Sequence, residues 1–209
     1  MASRPYSSPL RDEATARTRE RIVAAAGHLF AAQGYVSTTM AAIAREAGVS
    51  VQSVHLAGPK SALLMASFEV ALAGDEGTHP LHERPAIAQI MTLPPDEALP
   101  AYVSFLAEAN ARTAGISRAL YVAAETDETI AALVADLDER RHRDIRAGIL
   151  WCIDRGVLQG DIDVDQRTDV LTHLVSPETY RFFVRERGWS DDLYREWLLG
   201  AIERLVLQP

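Results

Sequence analysis

Apolar residues recur at three- and four-residue spacing along most of this 209-residue chain, and strictly alternating stretches are scarce. That periodicity predicts an all-α fold. A first long helix is expected from about Glu13 to Gln33, with Ile22, Ala26, Leu29 and Phe30 on one stripe and Gly34 as its stop. A short second helix follows, with Met40, Ile43, Ala44 and Ala47 inward and Thr38 or Thr39 placed to cap it. Gly48 suits the left-handed conformation that ends a helix abruptly. Val49 can plug the angle beyond it, and Ser50 can cap a third helix over about Val51–Ala57. A further helix opens at Lys60 and carries Leu63, Leu64 and Phe68. Two short helices around a tight Ala47-Gly48-Val49-Ser50 turn form the pattern of a helix-turn-helix, which points to double-stranded DNA.

The helical pattern breaks between Gly74 and Pro95, where four prolines surround a short helical piece at about Ala86–Met91. Helices are then expected at about Asp96–Thr113, Ile116–Glu125, Asp127–Arg155, Val164–Leu174, Pro177–Glu186 and Asp191–Leu207. The implied organisation is a disordered arm over residues 1–13 and a three-helix head over 14–60. A larger helical domain over 61–209 would bind ligand and dimerise, with the helix from Lys60 joining the two.

Charge sharpens this division. The chain carries a formal net charge of −8, which is unpromising for a partner of DNA. Residues 1–60, however, hold seven basic side chains against four acidic ones, while 61–209 hold fourteen against twenty-five. A mildly basic head could dock on phosphate while an acidic body stays clear of it. Arg17, Arg19 and Arg21 crowd the first helix, either to reach a phosphate backbone or simply as a solvated face. In the third helix Gln52, Ser53 and His55 are polar but uncharged beside Val51, a set that suits base edges and thymine methyls. Lys60, the single lysine, sits in a helix first turn where a cation opposes the dipole, a cost that a phosphate partner would offset.

Other chemistry finds little support. No nucleophile–base pair, glycine-rich phosphate loop or HExxH-type motif is present, so neither an enzyme nor a cofactor is expected. His79 and His82 lack a third ligand, and the acidic run from Asp161 lacks the glycine and glutamate of a calcium loop, with Gln166 and Thr172 at those positions. No metal is expected. The uncharged apolar stretches fall far short of a membrane span, the first residues lack a secretory core, and Cys152 stands alone. These features favour a soluble, cytoplasmic protein without membrane contact.

The run Gly34–Ser50 follows the pattern G-[YF]-x-x-T-[TS]-[MV]-x-x-I-A-x-x-A-G-V-S and resembles the tetracycline-repressor-like (TetR) family of regulators. The similarity continues less closely through Lys60 and Leu63-Leu64, and Ser176–Ile202 looks like an ending found in one group of these proteins. The resemblance implies a homodimeric, ligand-responsive transcriptional regulator, a repressor released from a near-palindromic operator by a small-molecule effector. It implies DNA contacts from Thr39, Arg45, Ser50, Val51, Gln52, Ser53, His55 and Lys60. Where the family commonly reads V-Y-x-x-F-G-x-K, this chain reads Val54-His55-Leu56-Ala57-Gly58-Pro59-Lys60. His55 replaces a tyrosine, one aromatic residue is missing, and Leu56 is a candidate to take over its packing. That departure leaves open a protein of the same fold with weak or lost DNA binding. By analogy, Tyr102, Phe105, Tyr121 and Trp151 are candidates to line an apolar pocket, with Arg118, Glu125 and His173 as polar handles; ordinary core is the competing assignment. Phe182, Phe183, Trp189, Trp197 and Leu198 are candidates for a dimer interface.

Overall fold

The computed structural model describes residues 9–76 and 83–208. The helices are α1 (Pro9–Ser37), α2 (Met40–Ala47), α3 (Val51–Ala57), α4 (Lys60–Ala73), α5 (Pro85–Ile90), α6 (Pro95–Ala124), α7 (Glu128–Asp154), α8 (Val164–Leu174), α9 (Pro177–Tyr180) and α10 (Asp191–Ile202). α9 and α10 run on into wider π-helical turns over Arg181–Glu186 and Glu203–Leu207. No strand occurs among the described residues. The first helix begins at Pro9 rather than near Glu13, so the end of the expected arm is helical; residues 1–8, like His79 and His82, lie outside the described residues.

Gly34 bends the chain as expected: at φ 80° and ψ 173° it breaks the α1 geometry before a last turn through Ser37. Side-chain caps set the later starts. Thr39 accepts from the Ala42 amide (3.1 Å), Ser50 from Ser53 (3.0 Å), Asp127 from Thr129 (3.0 Å) and Ser190 from Leu193 (3.2 Å). Each satisfies an amide that the helix itself leaves without a partner.

One expected break is absent. α6 is a single 30-residue helix, about 45 Å long at 1.5 Å per residue, where two helices were anticipated on either side of Ala114-Gly115. Gly115 is not a stop but a crossing point: a Cβ there would lie 2.9 Å from the Ala31 Cβ and 3.3 Å from its Cα. The missing side chain lets α1 and α6 approach closely.

Packing divides the molecule differently from chain order. One core joins Ile22, Phe30, Ile43, Val54, Leu63 and Leu64 to Leu120 and Ile130. A second joins Val103, Ile145, Ile149, Leu171, Tyr194 and Leu198. α6 and α7 contribute to both, their junction-side halves to the first and their far halves to the second. The head therefore rests on two helices that also build the body's core.

Gly115→Ala should lower stability by about 1–3 kcal/mol, because overpacking at a backbone contact forces α1 away from α6. Thermal unfolding of the two proteins side by side checks this, and an unchanged melting temperature would show that the crossing tolerates the methyl.

Candidate nucleic-acid interface and ligand cavity

The second and third helices present their reading face because three cations close the ends of the helices around them. An α-helix ends with carbonyls that have no internal partner, and a cation at that end also meets the negative pole of the helix dipole. Lys60 Nζ donates to the Tyr35 and Thr38 carbonyls, at 2.9 and 3.1 Å, and sits 4.1 Å from the Tyr35 ring centroid. Arg21 Nη2 donates to the Ala47 carbonyl at the end of α2 and to Gly48 at 3.2 Å. Arg19 Nη1 donates to the Ala57 carbonyl that ends α3 (2.6 Å), while Nε and Nη2 hold Glu76 at 3.0 and 2.5 Å.

Gly48 makes the Arg21 contact possible. Its φ of 64° is left-handed, and a Cβ there would stand 2.8 Å from Arg21 Nη2. Burial pushes the Lys60 pKa below the ordinary lysine value, with Asp127 opposing that shift. The dipole cost inferred for Lys60 is thus offset by carbonyls at the end of α1 and in the turn after it. Arg19 and Arg21 likewise hold helix ends, although Arg21 is itself exposed, as are Arg17 and Arg45.

On α3 the Val54 side chain is fully buried, whereas Val51, Gln52, His55 and Leu56 form a continuous exposed arc. Leu56 is 82% exposed and Val51 43%. The expectation that Leu56 replaces the missing aromatic is therefore corrected: Ala57 packs on the head core and Leu56 faces outward. α3 ends at Ala57, where Gly58 donates its amide to the His55 carbonyl and Arg19 donates to the Ala57 carbonyl. Ser53 is half-buried with its hydroxyl 2.9 Å from that of Ser50. Thr39, Arg45 and Ser50 are exposed beside the arc.

The body holds a partly open cavity of about 150 Å3 between α5, α6, α7, α8 and the end of α10. Tyr102, Phe105 and Trp151 line it, as the sequence suggested. Arg118, Glu125 and His173 are exposed, and none of them lines it. Tyr121 instead packs against the first core and donates to Asp138 Oδ1 at 2.7 Å. The sequence reading missed Asp144, Gly148 and Cys152, which face the cavity from α7. Burial pushes the Tyr102 phenol up to about 12 and the Cys152 thiol up to about 11, so both are neutral at pH 7. Gly148 carries the clearest signal. Glycine inside a helix costs up to about 1 kcal/mol relative to alanine, yet a Cβ here would meet nothing within 4 Å. The sequence keeps open a space that it could fill.

The proposed interface residues fare unevenly within one chain. Leu198 is fully buried and belongs to the second core. Phe183, Trp189 and Trp197 stack on one another, with Phe183 4.4 Å from Trp189 and 4.3 Å from Trp197 between centroids. Phe182 remains 40% exposed, as does Leu193 at 46%, a residue the sequence reading passed over.

Residues 22–57 match the model for bacterial regulatory proteins of the tetR family, a span that includes α2 and α3. The fold as a whole is similar to that of a Saccharomonospora viridis protein solved in complex with choline, at 22% identity over 95% of this chain and 100% of that one, with a TM-score of 0.70. It is similar also to a HlyIIR mutant protein carrying a linker substitution, at 19% identity over 93% of this chain and 98% of that one, with a TM-score of 0.56. No curated protein sequence matches the chain.

Arg21→Met keeps the aliphatic stem but removes the cap on α2. Because Arg21 is exposed, this should cost the head about 1 kcal/mol or less. Hydrogen exchange should show faster exchange at the α2 and α3 amides and unchanged protection in α8 and α10. Uniform protection in both proteins would remove Arg21 from this role.

Proposed function

Taking the head as that of a tetR-family regulatory protein, we propose that this chain is a DNA-binding transcriptional repressor. Two copies bind a near-palindromic operator, and a small molecule entering the body cavity releases it. The observation that carries this reading is the exposed arc of α3. Gln52 and His55 offer uncharged hydrogen-bonding groups, and Val51 and Leu56 offer aliphatic contacts, on a helix held by its neighbours' cations. Such a set matches base edges and thymine methyls in a major groove. Thr39, Ser50 and Ser53 at the helix starts, with exposed Arg45, supply the flanking phosphate contacts. The rival reading, a protein of this fold with weak or lost DNA binding, rests on the missing aromatic and on His55; Arg19's hold on Ala57, which fixes the end of α3 without that aromatic, favours the first.

Dimerisation places two heads in successive grooves, about 34 Å apart. Phe182, Leu193 and Trp197 supply an apolar face for that pairing. The S. viridis protein's complex with choline supports a small-molecule site in the body. Because α6 and α7 belong to both cores, an occupant that reshapes the second core alters how the head is carried. The resulting change in head spacing is a coupling free energy between cavity and operator.

Selection from a random duplex library at moderate salt tests the reading: a near-palindromic sequence should be enriched, and no enrichment would favour the rival. Within the selected operator, deoxyuridine in place of thymine should weaken binding by about 1 kcal/mol at a contacted methyl. Leu56→Ala should abolish that sensitivity at one position in each half-site.

Leu193→Arg adds charge at a half-exposed site, so the fold should survive while the dimer dissociates. Light scattering should then report a monomer, and an unchanged dimer would place the interface elsewhere.

A further inference from the structure

Glycine inside a helix is unfavourable relative to alanine, so its presence calls for a physical reason. Gly115 has one within the chain, the close passage of Ala31. Gly200, inside α10, has none: a Cβ there would meet nothing within 4 Å. It sits at the centre of the helix face opposite the buried Tyr194, Leu198 and Ile202, on one stripe with Leu193, Glu196, Trp197 and Arg204. The space kept at Gly200 is open only to something outside the chain.

The charges flanking Gly200 identify the occupant. Glu196 stands four residues before the glycine and Arg204 four residues after it. Both are exposed, and neither has an ion-pair partner among the described residues. Arg195, by contrast, already pairs with Glu108 and Asp192. A two-fold axis passing through Gly200, perpendicular to α10, lays a second α10 antiparallel on the first. Residues equally far on either side of the glycine then oppose each other. Glu196 of each copy meets Arg204 of the other, and Leu193 of each meets the apolar Leu207 of the other. A parallel pairing, or an antiparallel crossing centred on Glu196 or on Arg204, sets like charges together instead. The stripe is thus complementary to itself in one register.

We propose that α10 is a homotypic docking surface on which two copies of this chain cross at Gly200, antiparallel, with Glu196 of each paired to Arg204 of the other. This rests on the reading of the chain as a dimer. It adds the register of the two copies, which fixes how far apart the heads are carried. It also gives a chain a reason to select its own kind over a helix with other charges at these positions.

Sedimentation equilibrium of the full chain at low salt, with charge reversals on the stripe, tests this. Glu196→Arg and Arg204→Glu should each weaken self-association about tenfold, because two surface ion pairs become two repulsions. Mixing the two variants should restore association, since each mixed pair regains opposite charges at both contacts. Gly200→Gln, a good helix former at an open position, should abolish the dimer while circular dichroism shows the helix content unchanged. A mixture that associates no better than either variant alone would overturn the pairing, as would reversals that leave the dimer intact. A Gly200→Gln chain that dimerises like the intact protein would overturn the crossing point. If all these variants stay dimeric while Leu193→Arg dissociates, this register fails and dimerisation through the α10 face stands. An intact protein that remains monomeric at every concentration would overturn the dimer and this proposal together.

Discussion

Helix C-termini in this protein are closed by cations reaching in from elsewhere in the chain, and the placement of the reading head depends on that contact. Lys60 closes α1, Arg21 closes α2 and Arg19 closes α3. The same device recurs in the body. Arg112 on α6 donates to Ala71 and Leu72 at the end of α4, Arg141 to Thr172 near the end of α8, and Arg167 to Leu205 and Val206 in the last turn. Donor and acceptor lie 22 to 41 residues apart, so each contact is tertiary. A charged donor on an unpartnered carbonyl is worth about 1–3 kcal/mol where it is sheltered, and less at the surface. Several such contacts are comparable with the whole stability margin of a domain.

The device also reconciles the charge balance with a partner that is a polyanion. A chain of net charge −8 has few cations to offer DNA, and in the head three of them are engaged on helix-end carbonyls. Among the described residues, Arg17, Arg21 and Arg45 are the exposed arginines of the head, around an uncharged reading arc. Affinity on this arrangement leans on shape and base contact more than on bulk charge, which favours discrimination between sequences. The link to the body is equally specific. Arg112 sits on α6 between Phe105, which lines the cavity, and Ile116, which packs in the head's core, and it grips the far end of α4. Lys60, at the near end of α4, grips the turn that precedes Thr39. Cavity and reading helices are thereby joined through one helix held at both ends.

Much of this was legible in the sequence where the determinants are local. The caps at Thr39 and Ser50, the left-handed Gly48 and the inward stripe of Ile43, Ala44 and Ala47 all act within a few residues, and the helix-turn-helix follows from them. Body helices came through for the same reason, except at Gly115. A small residue looks alike whether it ends a helix or admits a neighbour, and only the Ala31 backbone across the crossing decides. The cation caps were hidden because their acceptors are backbone carbonyls, which carry no side-chain signature. Leu56 was assigned to packing because an aliphatic residue beside a lost aromatic invites it, yet it lies on the outward face of α3. In the cavity, the aromatics at helical spacing could be found. Gly148, an unforced glycine within a helical pattern, was the readable sign that was passed over.

Salt dependence of DNA binding separates internal props from phosphate contacts most directly. Each phosphate contact contributes about 0.9 to the slope of log K against log salt. Arg21→Gln and Arg19→Gln should weaken operator binding while leaving that slope unchanged, because those guanidinium groups hold helix ends and displace no counterions. A slope reduced by about one for each substitution would mean that these arginines meet phosphate, and that the head is held in place by something else.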